Sequence, residues 1–205
     1  MDERRMSGAL TIHEIGGEEL GPWLDALGGL RIRVFREFPY LYDGSLEYER
    51  EYLGVYQRCV RSRIVLVTAA DGGLVGATTC MPLAEEAAEI QAPFLAAGRD
   101  VEDWLYFGES IVLPEWRGMG LGKEFFARRE EHARRLGLTG AAFCAVDRPE
   151  SHPLRPLGYR PPDGFWTALG YAKQPDLQAV FSWKEITEAA ESPKTLTFWT
   201  KSWTF

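Results

Sequence analysis

The sequence of 205 residues has few cysteines and no long apolar segment. Its three cysteines, Cys59, Cys80 and Cys144, are far apart and form no Cys-x-x-Cys pair, which favours reduced thiols over a disulfide framework. No stretch approaches the roughly 18 consecutive apolar residues of a membrane span, and the charged start Met1–Arg5 is not followed by the apolar region of a signal peptide. We therefore expect a soluble, cytoplasmic protein without a membrane partner.

Basic residues are also in deficit, because 23 lysines and arginines stand against 30 aspartates and glutamates, which gives a formal net charge of −7. A broad nucleic-acid surface needs basic residues to displace phosphate counterions, so we expect no nucleic-acid partner. An acidic protein is compatible with a cationic acceptor such as an amine. His13 and His132 have no partners at the spacing of metal ligands, so no metal site is predicted.

What the sequence does have is an ordinary globular composition, with 45% hydrophobic and 26% charged residues. A chain of this length can bury a core without disulfides, and it contains no internal repeat. We therefore predict a single domain over residues 1–205, with a core from about residue 9 to residue 203.

The spacing of apolar residues predicts an alternation of strands and helices. The order is a strand, two helices, a hairpin, a helix, a long strand, a glycine turn, a helix, a strand, a loop, a short helix and two strands. The first helix, over 18–37, is predicted to be interrupted or to end around Gly28-Gly29. The long apolar strand is predicted at Trp104–Leu113, and the helix after the glycine turn at Lys123–Leu136. This order predicts one mixed α/β domain.

The glycine turn is the most informative segment. Gly118, Gly120 and Gly122 alternate between a strand and a helix, where glycine lets the backbone bend and approach a ligand closely. Free amides at the start of the helix, the helix dipole and Lys123 would all favour an anion such as a diphosphate. The alternative is a plain connection between strand and helix. Alternating glycines cost backbone entropy without a return in packing, which favours the binding site.

Spacing excludes two nucleotide-binding motifs at this turn. A Walker A loop needs Gly-x-x-x-x-Gly-Lys followed by Ser or Thr, but Arg117 occupies the first glycine position and Glu124 the hydroxyl position. A dinucleotide fingerprint needs Gly-x-Gly-x-x-Gly, and here the third glycine comes one residue early. The motif that does fit is Arg-x-x-Gly-x-Gly, from Arg117 to Gly122.

With the strand before it, Pro114 and the amphipathic helix after it, this motif resembles the GNAT superfamily of acyl-CoA-dependent N-acetyltransferases. The order of elements from about Ala9 to Lys201 also follows that family. The resemblance implies a GNAT-like fold, with a central mixed, mostly antiparallel sheet and helices on both faces. It further implies an acetyltransferase that uses acetyl-CoA and transfers its acetyl group to a primary amine by direct attack. The amine, on a small molecule or a protein, stays open, and a homodimer is one expectation because family members often dimerise.

The resemblance also implies where acetyl-CoA lies. The pantetheine arm would follow the edge of the long strand, where neighbouring strands of the family splay apart. It would pair with the backbone of Ile111, Val112 and Leu113 like an added strand. The pyrophosphate would be held by the backbone amides of the turn, which belong to Arg117, Gly118, Met119, Gly120, Leu121, Gly122 and Lys123.

Glu109 is the candidate catalytic residue. It is a lone carboxylate in an apolar strand, eight residues before Arg117, where many family members have a glutamate. Burial would raise its pKa towards that of a general base, which would take a proton from the acceptor ammonium directly or through water. The alternative is a carboxylate that pairs with an arginine for a structural reason.

The expected acid for the leaving thiolate is missing. Many relatives have a tyrosine in the short helix before a Gly-aromatic pair, here Gly170-Tyr171, but the corresponding position is Trp166, which we predict as a cofactor contact. An indole N–H is a hydrogen-bond donor but not a practical acid. Solvent or another residue would then protonate the thiolate, or the protein would be a catalytically silent acyl-CoA sensor or regulatory domain.

Two segments are candidates for acceptor binding. The proline-rich loop over 147–163 carries Arg155, Tyr159 and Arg160, and long ordered loops often line binding sites. The alternative is a surface loop stiffened by proline. An acidic and aromatic stretch could form one wall of an amine pocket, or it could be only a solvated helix start. Its residues are Tyr40, Tyr42, Asp43, Glu47 and Glu49.

Overall fold

The computed structural model describes residues 9–203, so Met1–Arg5 lie outside the described residues. The strands are β1 (Thr11–Gly16), β2 (Arg63–Thr68), β3 (Leu74–Pro82), β4 (Trp104–Val112), β5 (Gly140–Val146), β6 (Ala172–Trp183) and β7 (Ser192–Ser202). The α-helices are α1 (Leu24–Phe35), α2 (Leu46–Arg58), α3 (Ala88–Ala96), α4 (Leu121–Arg135) and α5 (Asp163–Ala168).

The strands form one sheet in the order β1-β2-β3-β4-β5-β7-β6. Every neighbouring pair is antiparallel except β4 and β5, which are parallel. The predicted mixed, mostly antiparallel sheet is therefore confirmed. The single-domain boundary at residues 1–205 stays a prediction.

Helices cover both faces of this sheet, as neighbouring residues of β7 show. Phe198 packs against Phe94 of α3 with ring centroids 5.1 Å apart, and Trp199 packs against Trp166 of α5, also at 5.1 Å. Successive side chains of a strand point to opposite faces. The prediction of helices on both faces is confirmed, with α3 on one face and α5 on the other.

The expected break at Gly28-Gly29 was wrong, because α1 runs through both glycines without interruption. Gly28 is buried against α2, where an added Cβ would lie 3.0 Å from the Cβ of Glu49. Glycine therefore serves close packing of the two helices at this position rather than a turn. That approach brings Arg31, one turn later on α1, next to Glu49.

The sequence predicts neither a membrane partner nor a metal site. No helix within 9–203 is both long enough and apolar enough to cross a membrane. Among the same residues, no three His, Cys, Asp or Glu side chains are grouped in a way that could hold a metal ion.

Candidate active site

The two parallel strands at the centre of the sheet separate along their length. Trp104, Leu105 and Tyr106 of β4 pair with β5, but the pairing ends at Tyr106 and Ala142. Beyond that point β5 continues beside β7, and β4 continues beside β3. The edge of β4 from Phe107 to Val112 therefore has no strand partner among the described residues on the side of β5. The separation that the resemblance implied is present.

A β-bulge lies where the strands part. The register between β3 and β4 shifts so that Gly108 and Glu109 together oppose the single residue Thr79. A bulge re-aims side chains. Here it turns both Gly108 and Glu109 towards the helices on one face, because Gly108 touches Tyr56 of α2 and Glu109 pairs with Arg31 of α1.

A cavity of about 480 Å³, the first cavity, opens between the separated strands on the side of α4 and α5. Its walls are largely aromatic and include Phe126, Phe143 and Trp166. Gly122, in the first turn of α4, also lines this cavity, and Glu109 and Ser110 of β4 line its floor.

A second cavity of about 710 Å³ lies on the side of α2 and α3. It also has aromatic walls, together with three carboxylates that form no ion pair with a basic residue of 9–203: Glu51, Glu86 and Glu89. The two cavities meet at a shared wall, which consists of Phe35, Tyr40, Gly108 and Cys144. Two ligands that enter from opposite sides of the sheet would therefore meet beside Gly108.

The glycine turn has the geometry of an anion cradle. Gly118 and Gly120 have φ angles of 80° and 85°, the left-handed region that favours glycine, and Gly120 is the N-cap of α4. The backbone amides of Gly118, Gly120, Leu121 and Gly122 donate no hydrogen bond to any residue of 9–203. Four free amides at the N-terminus of a 15-residue helix favour an anion.

The amides at the two ends of the predicted cradle are already occupied. The amide of Arg117 donates to the carbonyl of Pro114 at 3.2 Å, and that of Lys123 to the carbonyl of Gly120 at 3.0 Å. These two residues can therefore offer their side chains rather than their amides. The Arg117 guanidinium donates to Glu37 at 2.9 Å and to the carbonyl of Val112 at 3.0 Å. Lys123 is exposed, and it forms no ion pair within 9–203.

The side chains of Met119 and Leu121 in the turn differ in their exposure to solvent. Met119 is half exposed, whereas Leu121 is buried and packs into the core with Ile111 and Leu113. The side chains of those three buried residues therefore face away from a ligand, and only their backbone atoms can contact it.

Glu109 is buried in a cluster of three charges. Arg31 donates to Glu109 and also to Glu49, and all three side chains are almost inaccessible to solvent. One oxygen of Glu109, Oε1, has no hydrogen-bond partner among residues 9–203. Burial raises the pKa of Glu109, and the positive charge of Arg31 opposes that rise. Both chemical features weighed from the sequence, the raised pKa and the arginine partner, are present together.

Trp166 lies in an aromatic cluster at the wall of the first cavity. Its ring contacts Phe143 at 4.9 Å and Trp199 at 5.1 Å, edge to face in both cases. It is half buried, so part of the indole faces the cavity.

The proline-rich loop brings two of its three predicted residues to the first cavity. Arg155 and Tyr159 line it, with the guanidinium 5.2 Å from the centroid of the Tyr159 ring. Tyr159 packs edge to face on Phe38 at 4.8 Å. Arg160 is exposed and lines neither cavity.

The residues of the acidic and aromatic stretch lie in three environments: a cavity wall, the surface and a buried ion pair. Tyr40 and Tyr42 line the second cavity, in agreement with an acceptor wall. Asp43 instead pairs with Arg36 and Lys184 near the surface, and Glu47 is exposed. Glu49 is buried against Arg31, so it is neither a cavity wall nor a solvated helix start.

Sequence reasoning missed Arg31 and Arg129, which are both buried beside β4. A signal was available, because each interrupts an apolar helical stripe. Arg31 follows Leu27 and Leu30 at helical spacing, and Arg129 follows Phe125. A charge on a buried stripe indicates a partner in the core, although its identity depends on the tertiary fold.

Gly108 offers a test of the wall that the cavities share. A Cβ here would overlap the hydroxyl of Tyr56, which donates to Glu86 at 3.2 Å, and would lie 2.5 Å from Thr79 Oγ1. We expect Gly108→Ala to lower the free energy of unfolding by about 1–3 kcal/mol through overpacking, as measured by urea denaturation.

Gly29→Ala is the matched control for that measurement. Gly29 is exposed within α1, and an added Cβ would meet nothing within 4 Å. We expect a gain of about 0.5–1 kcal/mol there, because alanine is the better helix former. Equal effects of the two substitutions would contradict close packing at Gly108.

Comparison with solved structures supports the fold. The ribosomal-protein-alanine N-acetyltransferase of Brucella melitensis matches with a TM-score of 0.59 and 13% identity, over 94% of this chain and 99% of that one. The structure of yncA from Salmonella typhimurium with its cofactor acetyl-CoA matches with a TM-score of 0.57 and 12% identity, over 95% and 94% of the two chains. Identities this low show similarity of fold alone.

No curated protein matches the sequence. The family model described as the acetyltransferase (GNAT) family does match, over residues 32–159, which is more than half of the chain. That range includes β4, the bulge, the glycine turn and α4. The chain therefore belongs to the GNAT family of acetyltransferases.

Proposed function

We propose that this acyltransferase moves the acetyl group of acetyl-CoA to a primary amine by direct attack of the amine on the thioester. The observation that carries the proposal is the glycine turn, where four free amides at the start of α4 lie beside the opening between β4 and β5. The similar structure from Salmonella typhimurium was solved with acetyl-CoA, which agrees with acetyl-CoA as the ligand of the opening between β4 and β5.

The first cavity is the proposed cofactor site. Its position next to the turn supports binding of the pyrophosphate by the amides of Gly118 and Gly120–Gly122, with the side chains of Arg117 and Lys123 nearby. The unpaired edge of β4 supports pairing of the pantetheine arm with the backbone of Ile111–Leu113. Trp166 would then contact the acyl end of the cofactor from the opposite wall.

The second cavity is the proposed acceptor site. Its aromatic walls and its three carboxylates, which have no basic partner within 9–203, support a cationic acceptor on a small molecule or a protein. Arg155 and Tyr159 of the proline-rich loop line the first cavity, and they would contact the part of the acceptor that extends past the shared wall. Arg160 would have to reach it by a movement of that loop. Cytoplasmic location and a homodimer stay predictions.

Cys144 is the cysteine at the shared wall, and the protonation of its thiol favours direct attack by the amine over a covalent acetyl-enzyme intermediate. Burial raises the pKa of this thiol to about 12. The thiolate, not the thiol, is the nucleophile, so a thiol with a pKa raised this far is a poor nucleophile at neutral pH. The amine itself is then the nucleophile that attacks the acetyl carbon.

Glu109 is the proposed general base. Glu109 is among the residues that line the first cavity, its carboxylate binds Arg31 at the bulge, and one carboxylate oxygen has no partner among residues 9–203. Its raised pKa brings it closer to the operating pH, which is the condition for efficient proton transfer. Arg31 would fix the position of the carboxylate by binding its other oxygen.

The role of Glu109 is tested by release of CoA with a panel of amines. We expect Glu109→Gln to lower kcat by about 10²–10⁴-fold, the usual contribution of a general base, while the increase in melting temperature caused by acetyl-CoA is retained. The control is Glu115→Gln, an exposed carboxylate of the next segment that pairs with Arg33 at 3.1 Å. Unchanged turnover by Glu109→Gln would contradict the proposal for this residue.

One observation favours a second candidate function, a catalytically silent acyl-CoA-binding domain. Trp166 occupies the position at which many relatives have the tyrosine acid. The same assay separates the candidates. Tight binding of acetyl-CoA without turnover of any amine would favour the silent domain, whereas turnover by the native protein excludes it.

A further inference from the structure

Arg129 of α4 is a buried cation for which residues 9–203 supply no buried counterion. It is 2% exposed, and among residues 9–203 no carboxylate lies within ion-pair distance of it. Its guanidinium lies over the rings of Phe107 and Phe126, at 4.0 and 4.7 Å from the centroids. Burial lowers its pKa to about 10, so the group is still charged at neutral pH. A buried charge is costly unless an opposite charge compensates it.

Neutral acceptors hold this guanidinium in place. It donates to the carbonyls of Phe125 at 3.2 Å and Glu109 at 3.4 Å, and to the hydroxyl of Ser110 at 2.8 Å. A guanidinium has five N–H groups, so these bonds leave donors for a further acceptor. Arg129 also lines the first cavity, beside the bulge at which β4 leaves β5. The charge is thus fixed at the place where the thioester would be cleaved.

We propose that Arg129 stabilises the sulfur of coenzyme A as a thiolate when the thioester is cleaved, an inference that rests on the proposed function. The acceptor ammonium first gives one proton to the base, and its nitrogen then forms a bond to the acetyl carbon. The carbon–sulfur bond breaks with its electron pair going to sulfur, and the nitrogen loses its second proton to solvent. The products are the amide, two protons and the thiolate of coenzyme A, which is paired with Arg129.

This assignment explains how the reaction could proceed with tryptophan in place of the usual acid. A thiol has a pKa of about 8.5 in water, below that of the Arg129 guanidinium at about 10. The arginine therefore keeps its proton and acts through its charge, which lowers the pKa of the nearby thiol. The thiolate leaves without a proton, and Trp166 is not required to supply one.

Other titratable groups face Arg129 from the elements packed around it. Burial raises the pKa of Cys80 on β3 to about 12 and raises those of Tyr56 on α2 and Tyr171 before β6. Glu109 on β4 has a raised pKa, and Glu130 on α4 is tied to Tyr171 and Lys201. A ligand that lacks only the sulfur corrects for any effect of these groups.

The test compares the binding of coenzyme A with that of desulfo-coenzyme A, which lacks the thiol, by calorimetry between pH 6.5 and pH 9. A cation at the sulfur is expected to lower the thiol pKa from about 8.5 by about one unit, so the preference for coenzyme A should increase about sevenfold over this range. A preference that does not change with pH would overturn the proposal, even if acetyl transfer is observed. If neither ligand binds, the proposed function fails and this inference fails with it.

Two variants locate the effect. Arg129→Met should remove the pH-dependent preference while the affinity for desulfo-coenzyme A is retained, and Arg129→Lys should restore part of it. Arg128→Met is the matched control, because Arg128 is the neighbouring arginine on α4 and pairs with Glu124 at 2.8 Å. The same loss in Arg128→Met would contradict the assignment. Should Arg129→Met not fold, the measurement on the native protein still decides the question.

Discussion

Gly120→Asp is expected to abolish the stabilisation that acetyl-CoA gives the native protein. A ligand at 100 times its Kd stabilises by about 2.7 kcal/mol, which corresponds to roughly 5–10 °C in melting temperature for a chain of this size. Gly120 is the N-cap of α4 in left-handed backbone, which aspartate tolerates better than most residues, and an added Cβ would meet nothing within 4 Å. The variant should therefore fold, with its own carboxylate in the place proposed for the pyrophosphate.

The control for this substitution needs the same backbone strain at a distant place. Gly98 has a φ of 68°, is exposed, and like Gly120 has nothing within 4 Å of an added Cβ. It precedes β4, whereas the cradle follows that strand, so about 30 Å of extended chain separates the two sites. Gly98→Asp should keep the full shift. A shift that survives in Gly120→Asp would contradict the cradle.

Arg31→Met is expected to be the most destabilising of the substitutions considered. It removes the partner of two buried carboxylates, Glu49 and Glu109, and breaking a buried ion pair in this way costs about 3–5 kcal/mol. Denaturation by urea would measure the loss. Arg33→Met is the control on the same helix, because Arg33 is 62% exposed and pairs with an exposed glutamate. There the loss should stay below about 1 kcal/mol.

The cost of Arg31→Met should depend on pH in a defined direction. Burial already raises the pKa of Glu109, and loss of the opposing arginine raises it further. A carboxyl with a raised pKa in the folded state contributes stability below its unfolded pKa of about 4.3, and loses it as pH rises through the folded pKa. The destabilisation should therefore be smaller at pH 5 than at pH 7.5. A cost that is constant over this range would contradict an uncompensated carboxylate as its cause.

Local patterns were sufficient for the elements that form the proposed cofactor site. Glycines at 118 and 120 are required by left-handed backbone, and the residues around them, Arg117, Gly122 and Glu124, are incompatible with two nucleotide-binding motifs. The strand before them and the helix after them follow from apolar periodicity. These features could be predicted because each depends on residues within about 20 positions of one another.

Other expectations depended on contacts between distant segments and were less accurate. The predicted break of α1 at Gly28-Gly29 was wrong because the packing of α2 uses Gly28 as a point of close approach. Glu49 was placed at a pocket wall or in solvent, and it is instead the second carboxylate of Arg31. A charge on an apolar stripe shows that a partner exists, but only the fold decides which one.

The sequence by itself determined that the chain has a net negative charge, a mixed α/β pattern and a glycine turn suited to an anion. It also determined the resemblance that the family model confirms over residues 32–159. Only the tertiary structure decided that β4 and β5 separate after Tyr106, and that Arg129 and Glu109 meet at that point from segments 20 residues apart. The physical reason is that composition, periodicity and turn geometry are local properties. Burial of a charge and the partner that compensates it are set by packing across the whole sheet.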